Sequence, residues 1–396
     1  MVALGALSAF APWLPVALAV AFIALVVIGK YAPRSITHKP NPKINMDNFQ
    51  KLAGRFLYLS ECVDILNYLN THKDELTAQA KNENRCIRVK AHGNPDLRRT
   101  LLFTPDGKVF IILNKINKGD KVIGKGAAKV VKYCFELTEQ KMCTHATFKD
   151  KTMFDKEIIL LEKLKGKPNI LPLLATDEFM SKDGNLKYSM ITEYCDCGDL
   201  LSVLEEPDNL PIEQPRDFCR QLAQALKAVH NEGYSHNDIK IENIFVKKEE
   251  NGAMTPFLAD FGLAYEISSD NQKKIDGTWL YLHPHTIRAL LDPHAKEILS
   301  SQTSRDIWAL GAVIYSVAFP NKVVPWMENI PKNVRFGSEE EKRIIFANLE
   351  KLSISKKPAF DKPTDETSLE YLAWNMLQAD PSKQFNIDQV VNFLTD

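Results

Sequence analysis

Two runs, Tyr234-Ser-His-Asn-Asp-Ile-Lys-Ile-Glu-Asn243 and, seventeen residues after Asn243, Asp260-Phe-Gly262, constrain this chain more than anything else in it. Asn243 follows Asp238 by five residues and Lys240 follows it by two. The residue types suit a division of labour. A carboxylate such as Asp238 can receive the proton of an attacking hydroxyl. An amide oxygen and a second carboxylate, Asn243 and Asp260, are ligands for a hard divalent cation such as Mg²⁺. Any fold for this chain has to bring these groups together.

Length and charge narrow the class. The chain has 396 residues, 45% of them apolar, which is room for one large domain with appendages. Lys+Arg and Asp+Glu are both 50. A dedicated nucleic-acid binder carries a basic surplus, so no nucleic-acid partner is expected. The seven cysteines (62, 86, 134, 143, 195, 197 and 219) include no C-x-x-C pair. That pattern suits a reducing compartment, with neither a disulfide framework nor a zinc site. Cys195-Asp-Cys197 would supply only two metal ligands.

Residues 1–29 carry no charged side chain and are predicted to be a hydrophobic membrane anchor, spanning about Trp13 to Ile28. Lys30, Arg34, Lys39 and Lys43 all follow the span, so the positive-inside rule puts the rest of the chain on the cytoplasmic side of a single-pass anchor. A hairpin with Leu4–Phe10 as its first arm, a cleaved signal peptide and a buried helix are the alternatives. Residues 30–45, with three prolines, read as a juxtamembrane linker. Residues 46–118 read as an extension. Phe49, Leu52, Phe56, Leu57, Val63, Leu66 and Leu69 give one or two amphipathic helices, and Arg99–Phe103 and Val109–Leu113 flank Pro-Asp-Gly as a hairpin.

From Lys121 to Asp396 the chain resembles the Hanks-type (eukaryotic-like) Ser/Thr protein kinases, in divergent form. D-x-x-x-x-N followed by D-F-G is that family's pair of catalytic and metal-binding loops, and Lys240 matches its Ser/Thr form. Ile123-Gly-Lys-Gly-Ala-Ala-Lys-Val-Val131 resembles its glycine-rich loop. The resemblance puts Ile123, Gly124, Lys125, Gly126 and Val131 around ATP, with Lys129 standing where the third glycine belongs. Phe154–Leu164 resembles the helix the family calls αC, with Glu157 as the glutamate that pairs with a strand lysine. Ala146-Thr-Phe-Lys149 best matches the Val-Ala-Ile-Lys that carries this lysine. Thr147 then replaces a small alanine, and only eight residues separate Lys149 from Glu157. Lys141 and Lys151 are the alternatives. Ser189–Cys195 reads as a strand running into the hinge, which makes Thr192 the gatekeeper, Glu193 and Cys195 adenine-binding, and Asp199 a ribose contact. Ser304–Gly311 resembles the αF helix, whose Asp306 anchors the catalytic loop.

The resemblance implies an α+β bilobal fold, with a small β-rich lobe carrying αC and a large, mostly helical lobe. The kinase domain would occupy residues 119–396, preceded by the transmembrane segment and the small extension. It implies an ATP- and Mg²⁺-dependent transferase acting on Ser/Thr hydroxyls of a protein substrate. Asp238, Lys240, Lys149 and Glu157 would be catalytic, and Asn243 and Asp260 would bind metal. His236 would be a packed core residue. Three departures stand out. Asn237 occupies the place of the arginine found before the catalytic aspartate in regulated members, so phosphorylation of the activation segment is expected to be dispensable. The closing Ala-Pro-Glu is His283-Pro-His285, and Gln384 replaces the arginine that would pair with the missing glutamate. A pseudokinase scaffold, favoured by Lys129, Thr147 and the short Lys149–Glu157 spacing, is the alternative reading. A small-molecule kinase is a further one, opposed by Gly277-Thr278. Neither the substrate nor the oligomeric state is legible.

Overall fold

The computed structural model describes residues 59–90, 99–113, 124–125, 129–137 and, apart from short gaps of which 206–211 and 293–298 are the longest, 139–395. The expected anchor 1–29, the linker 30–45 and residues 46–58 of the extension lie outside the described residues. The chain divides into two compact units: Met1–Lys149 with Leu174–Thr192, and Asp150–Leu173 with Glu193–Asp396.

The first unit is β-rich. It holds helix α1 (Leu59–Glu83) and strands β1 (Ile87–Val89), β2 (Thr100–Phe103), β3 (Val109–Ile112), β4 (Gly124–Lys125), β5 (Lys129–Glu136), β6 (Lys141–Phe148), β7 (Leu173–Met180) and β8 (Leu186–Glu193). The sheet order is β1-β2-β3-β5-β6-β8-β7, with β4 also paired to β5. The hairpin forms where Pro-Asp-Gly places it: Thr104 closes the turn through Lys108, and Gly107 takes φ +86°. Because side chains alternate across a strand, the hairpin has two apolar faces. Leu101, Phe103, Val109 and Ile111 pack with Phe135 under Ile65, Tyr68, Leu69 and Ala80 of α1. Leu102, Phe110 and Ile112 pack with Cys134, Cys143 and Ile191 on the other side. The extension is therefore part of the sheet. β3 pairs with β5 at Cys134–Glu136, and β4 pairs with the same strand at Val130–Val131.

The two end strands of this sheet are tied by side chains. Arg88 of β1 donates to the Asp177 carboxylate of β7, with both side chains buried. The same guanidinium reaches Ser189 Oγ and His145 Nε2, each at 3.3 Å, and lies 3.8 Å over the Phe179 ring. The sheet thus curls until its edges meet.

The second unit is mostly helical. It contains α2 (Lys151–Lys163), α3 (Leu200–Glu205), α4 (Pro215–Asn231), α5 (Pro284–Leu291), α6 (Gln302–Ala318), α7 (Glu339–Ser355), α8 (Leu369–Met376) and α9 (Ile387–Thr395). Two short strand pairs accompany them: β9 (Tyr234–Ser235) with β12 (Tyr265–Glu266), and β10 (Ile244–Lys248) with β11 (Met254–Leu258). Asp150 caps α2 through the Met153 amide at 3.0 Å. α2 groups with this unit, packed on the Phe261–Leu263 turn. α6 is buried almost all round, as expected of a helix whose apolar residues do not keep to one face. Gly311 lets α8 approach it, since a Cβ there would sit 2.8 Å from Met376 Cβ.

The membrane location read from the sequence needs correcting. Among the described residues no helix is long and apolar enough to cross a membrane. α1 has 25 residues, but Asp64, Lys73, Asp74, Glu75 and Lys81 lie along it.

Candidate active site

The site rests on α6. Asp306, fully buried, accepts the backbone N–H groups of His236 and Asn237 at 2.8 Å each and His230 Nε2 at 2.9 Å. These bonds set the turn at Asn237, whose φ of 66° is left-handed, a conformation asparagine tolerates better than most residues. Its Nδ2 donates to Ser235 O, Ser235 Oγ and Leu263 O, tying the turn to the strand behind it and to the segment after Asp260. His236 is a buried, neutral prop. Nε2 donates to Ala259 O and Nδ1 accepts the Asp238 amide, so one tautomer is fixed, and burial holds its pKa down. Its ring meets that of Phe261 at 4.9 Å.

Beyond the turn, four polar side chains meet. Asp238 Oδ1 accepts the Thr278 amide at 2.9 Å and the Thr278 hydroxyl at 2.7 Å. Asp238 Oδ2 accepts Lys240 Nζ at 2.8 Å and Asn243 Nδ2 at 2.9 Å. Lys240 also donates to Thr278 Oγ1 at 2.7 Å. A carboxylate held by four donors cannot rotate, and an ammonium lies beside it. Asn243 gives its amide nitrogen to Asp238 twice, to the carboxylate and to the backbone oxygen, which turns its own amide oxygen away. Asp260 is left-handed at φ 64°, and its carboxylate converges with that of Glu157 on Gly262. A Cβ on that glycine would lie 3.5 Å from Asp260 Oδ1 and 3.8 Å from Glu157 Oε2.

The segment from Tyr265 to Thr278 is tied down by side chains the sequence reading passed over. Gln302 Oε1 accepts the Ser268 amide at 3.1 Å, and Gln302 Nε2 donates to Glu266 O at 3.4 Å. Arg305 Nη1 donates to Lys274 O at 2.7 Å, and Tyr265 Oη donates to Asp276. The one hint of this was an arginine beside Asp306, just before the run of apolar residues that fills the rest of the helix. Gly277 has φ +113°, and a Cβ there would be 2.3 Å from Asn237 O. Ser269 lies outside the described residues.

Gln384, standing in the missing arginine's place, makes neutral bonds. Gln384 accepts from Ser304 Oγ at 2.5 Å and donates to Met376 O at 2.8 Å. His283 is buried edge-on against Trp308, and its Nδ1 is engaged by Ser300 Oγ at 2.9 Å. Burial holds its pKa well below the ordinary histidine value. Losing both partners of a buried pair leaves no stranded charge.

The residues assigned to adenine and ribose are distributed over both units. In the second, Glu193 pairs with Lys247, and Cys195 is buried, with its thiol pushed up to about 12. Asp199 Oδ1 accepts Ser202 N at 2.8 Å and Ser202 Oγ at 2.6 Å. In the first, Thr192 Oγ1 lies 2.5 Å from Thr144 Oγ1, and Val131 stands opposite Ala146. Thr147 stands opposite Val130, so it faces the other side of the sheet from Val131, and Ala146 is the small residue on Val131's side. Lys149 is exposed, one residue past the end of β6. The backbones of Gly124 and Lys125 pair with β5, while Ile123 and Gly126 lie outside the described residues.

Among the described residues no three His, Cys, Asp or Glu side chains group as a metal cage. Mg²⁺ held against phosphates needs only one or two protein carboxylates, with other oxygens completing the shell. Asp260 and the free-facing amide oxygen of Asn243 fit that requirement.

A sequence model of the family described as Protein kinase domain matches residues 118–393. Among similar proteins, serine/threonine-protein kinase GD17699 of Drosophila simulans is 28% identical over 241 residues, covering 60% of this chain and 28% of its own. Serine/threonine-protein kinase DCLK3 of Mus musculus is 28% identical over 328 residues, covering 80% and 37%. Serine/threonine-protein kinase ULK1 of Homo sapiens is 27% identical over 240 residues, covering 57% and 21%. The chain thus spans between a fifth and just over a third of the length of these relatives.

Proposed function

The chain belongs to the protein kinase family, and from that premise we propose that it is a serine/threonine-protein kinase, transferring the γ-phosphoryl group of ATP to hydroxyls of a protein substrate with Mg²⁺. The observation that carries this reading is Thr278 bridging Asp238 and Lys240. Phosphoryl transfer asks the protein mainly for position and charge neutralisation. Asp238, fixed by its donors, accepts the proton of the incoming hydroxyl. Lys240 holds a positive charge where the transferred group gains negative charge. Asn243 and Asp260 would hold Mg²⁺, which neutralises the phosphates when bound. The serine/threonine assignment is supported by the names of the relatives and by Lys240, and the loop works without an arginine at position 237.

The test incubates the whole chain with labelled ATP, Mg²⁺ and a mixed protein substrate. Asp238→Ala removes the base and should lower labelling by about 10²–10⁴-fold. Asp260→Asn keeps the shape and should remove nearly all Mg²⁺-dependent transfer while leaving the thermal midpoint unchanged. Equal labelling in wild type and Asp238→Ala would sink the catalytic reading and leave a nucleotide- or partner-binding scaffold.

A further inference from the structure

We propose that Lys129 of β5, rather than a lysine at or near β6, supplies the ammonium that meets the phosphates of the bound nucleotide. The inference rests on the ATP reading above and concerns only the β-rich unit. Residues directly opposite each other in an antiparallel pair share a face. Val131 faces Ala146, Lys129 faces Phe148, Tyr133 faces Thr144 and Phe135 faces Met142. Thr144 in turn bonds Thr192, which puts the gatekeeper position on this same face. The side of the sheet that carries Val131 and Thr192 is therefore the side that presents Met142, Thr144, Ala146 and Phe148 from β6.

No lysine of β6 is among them. Lys141 stands opposite Glu136, at the far end of the strand from the glycine-rich loop. By alternation it shares the other face with Cys143, His145 and Thr147. Lys149 falls after the strand has ended, directly before Asp150, the cap of α2, and it is exposed. Lys151 is already the first residue of α2. The eight-residue spacing between Lys149 and Glu157 has the same origin: the strand runs almost to the helix, with no connection in which a lysine of the usual kind could be placed.

Lys129 meets the requirement. It begins β5 three residues after Gly126, where the glycine-rich stretch joins the strand. It shares the face of Val131, and its Nζ lies 5.6 Å from the centroid of the Phe148 ring, within cation–π range. Lys132, the next cation along β5, alternates to the opposite face, where it lies across from His145 and where burial and Arg88 lower its pKa. The replacement of the third glycine and the absence of a strand lysine on the nucleotide-facing side are then one change: the cation has moved from the third strand of the family's sheet to the second.

The experiment measures binding and does not depend on turnover. ATP with Mg²⁺ and adenosine are titrated calorimetrically against the whole chain, as wild type, Lys129→Met and Lys149→Met. Adenosine has no phosphate, so its affinity reports whether the site is still folded. Lys129→Met should weaken ATP by about tenfold or more, the cost of a lost charge-assisted contact, and leave adenosine unchanged. Lys149→Met should keep both affinities. A loss of ATP affinity in Lys149→Met equal to or greater than that in Lys129→Met overturns the inference, and so does an unchanged ATP affinity in Lys129→Met. Wild type that binds no ATP at all would instead overturn the function proposed above, and this inference with it.

Discussion

At Gly277 an added methyl group would reach straight into the turn at Asn237. The added Cβ would sit 2.3 Å from the backbone oxygen of Asn237, at a φ of +113° that side chains other than glycine's resist. Conformational strain of this kind costs about 1–3 kcal/mol by itself, and relieving the clash would move Asn237, directly before Asp238, or Thr278, which donates to its carboxylate. Gly277→Ala should therefore lower the thermal midpoint and cut transfer far more than its stability loss explains; wild-type turnover in that variant would disprove the close approach. Asn237 carries a second expectation. With no guanidinium before Asp238 and with Gln302 and Arg305 already bonded to the segment, no phosphate is needed to order it. Phosphatase-treated enzyme and Ser268→Ala should keep untreated activity, and a tenfold loss restored by rephosphorylation would count against this. Asp238, Lys240 and Asn243 were legible in the sequence because they are close in the chain and their chemistry is rare in that order. Gln302, Arg305, Tyr265 and Asp276 were not, because each acts on a partner eleven to thirty-six residues away that no local pattern marks.

Strands gave up less to sequence reading than loops did. A strand's period of two makes a one-residue shift exchange both faces, so taking Thr147 for the counterpart of the small alanine rests on a four-residue resemblance, whereas the pairing of β5 with β6 puts Ala146 opposite Val131. Of the helical periodicity, Val63, Leu66 and Leu69 fall in α1, which runs on to Glu83, with Leu76 and the buried Ala80 continuing the spacing; the earlier positions lie outside the described residues. The Arg88 cluster, drawn from β1, β6, β7 and β8, was invisible for the same reason as Arg305. It carries a pH signature. A guanidinium only donates, so His145 Nε2 must accept and the ring is neutral. Burial first, and then Arg88, lower its pKa from 6.5 to about 3. Between those values the unfolded chain binds a proton that the folded one does not. The stability from this group is thus whole above pH 6.5 and is lost as the pH falls, by about 2 kcal/mol at pH 5. His145→Asn, which can still accept from Arg88, should flatten the fall of the thermal midpoint between pH 7 and 5. An unchanged slope would assign the acid sensitivity elsewhere.

On the scale of the whole molecule, the family match begins at residue 118, but the sheet it belongs to begins at Ile87. A chain started at residue 115 would lose α1 and β1–β3, uncovering Phe135, Cys134 and Cys143, and would lose Arg88 from beside Asp177. Stranding a buried carboxylate and an apolar face together should leave it aggregated in light scattering, whereas the whole chain stays folded. A monodisperse, nucleotide-binding fragment from residue 115 would show that the extension is dispensable. The sequence reading divided the chain at 118 because motif density rises there, and motifs report chemistry rather than where a sheet ends.

The way β3 and β4 share β5 offers something of practical use. Leu113 donates to Tyr133 O, and Gly124 stands opposite Val131 two residues further along the same strand. At about 3.4 Å per residue, those two positions on β5 lie about 7 Å apart. Lengthening the connection between two fixed ends costs only about 0.6 kcal/mol per doubling. A guest domain with neighbouring termini, such as a circularly permuted fluorescent protein, could be spliced in between residues 113 and 124 while keeping the pairings of β3 and β4 with β5, immediately ahead of the glycine-rich stretch. A chain built in this way would report, as a change in fluorescence, the nucleotide proposed above.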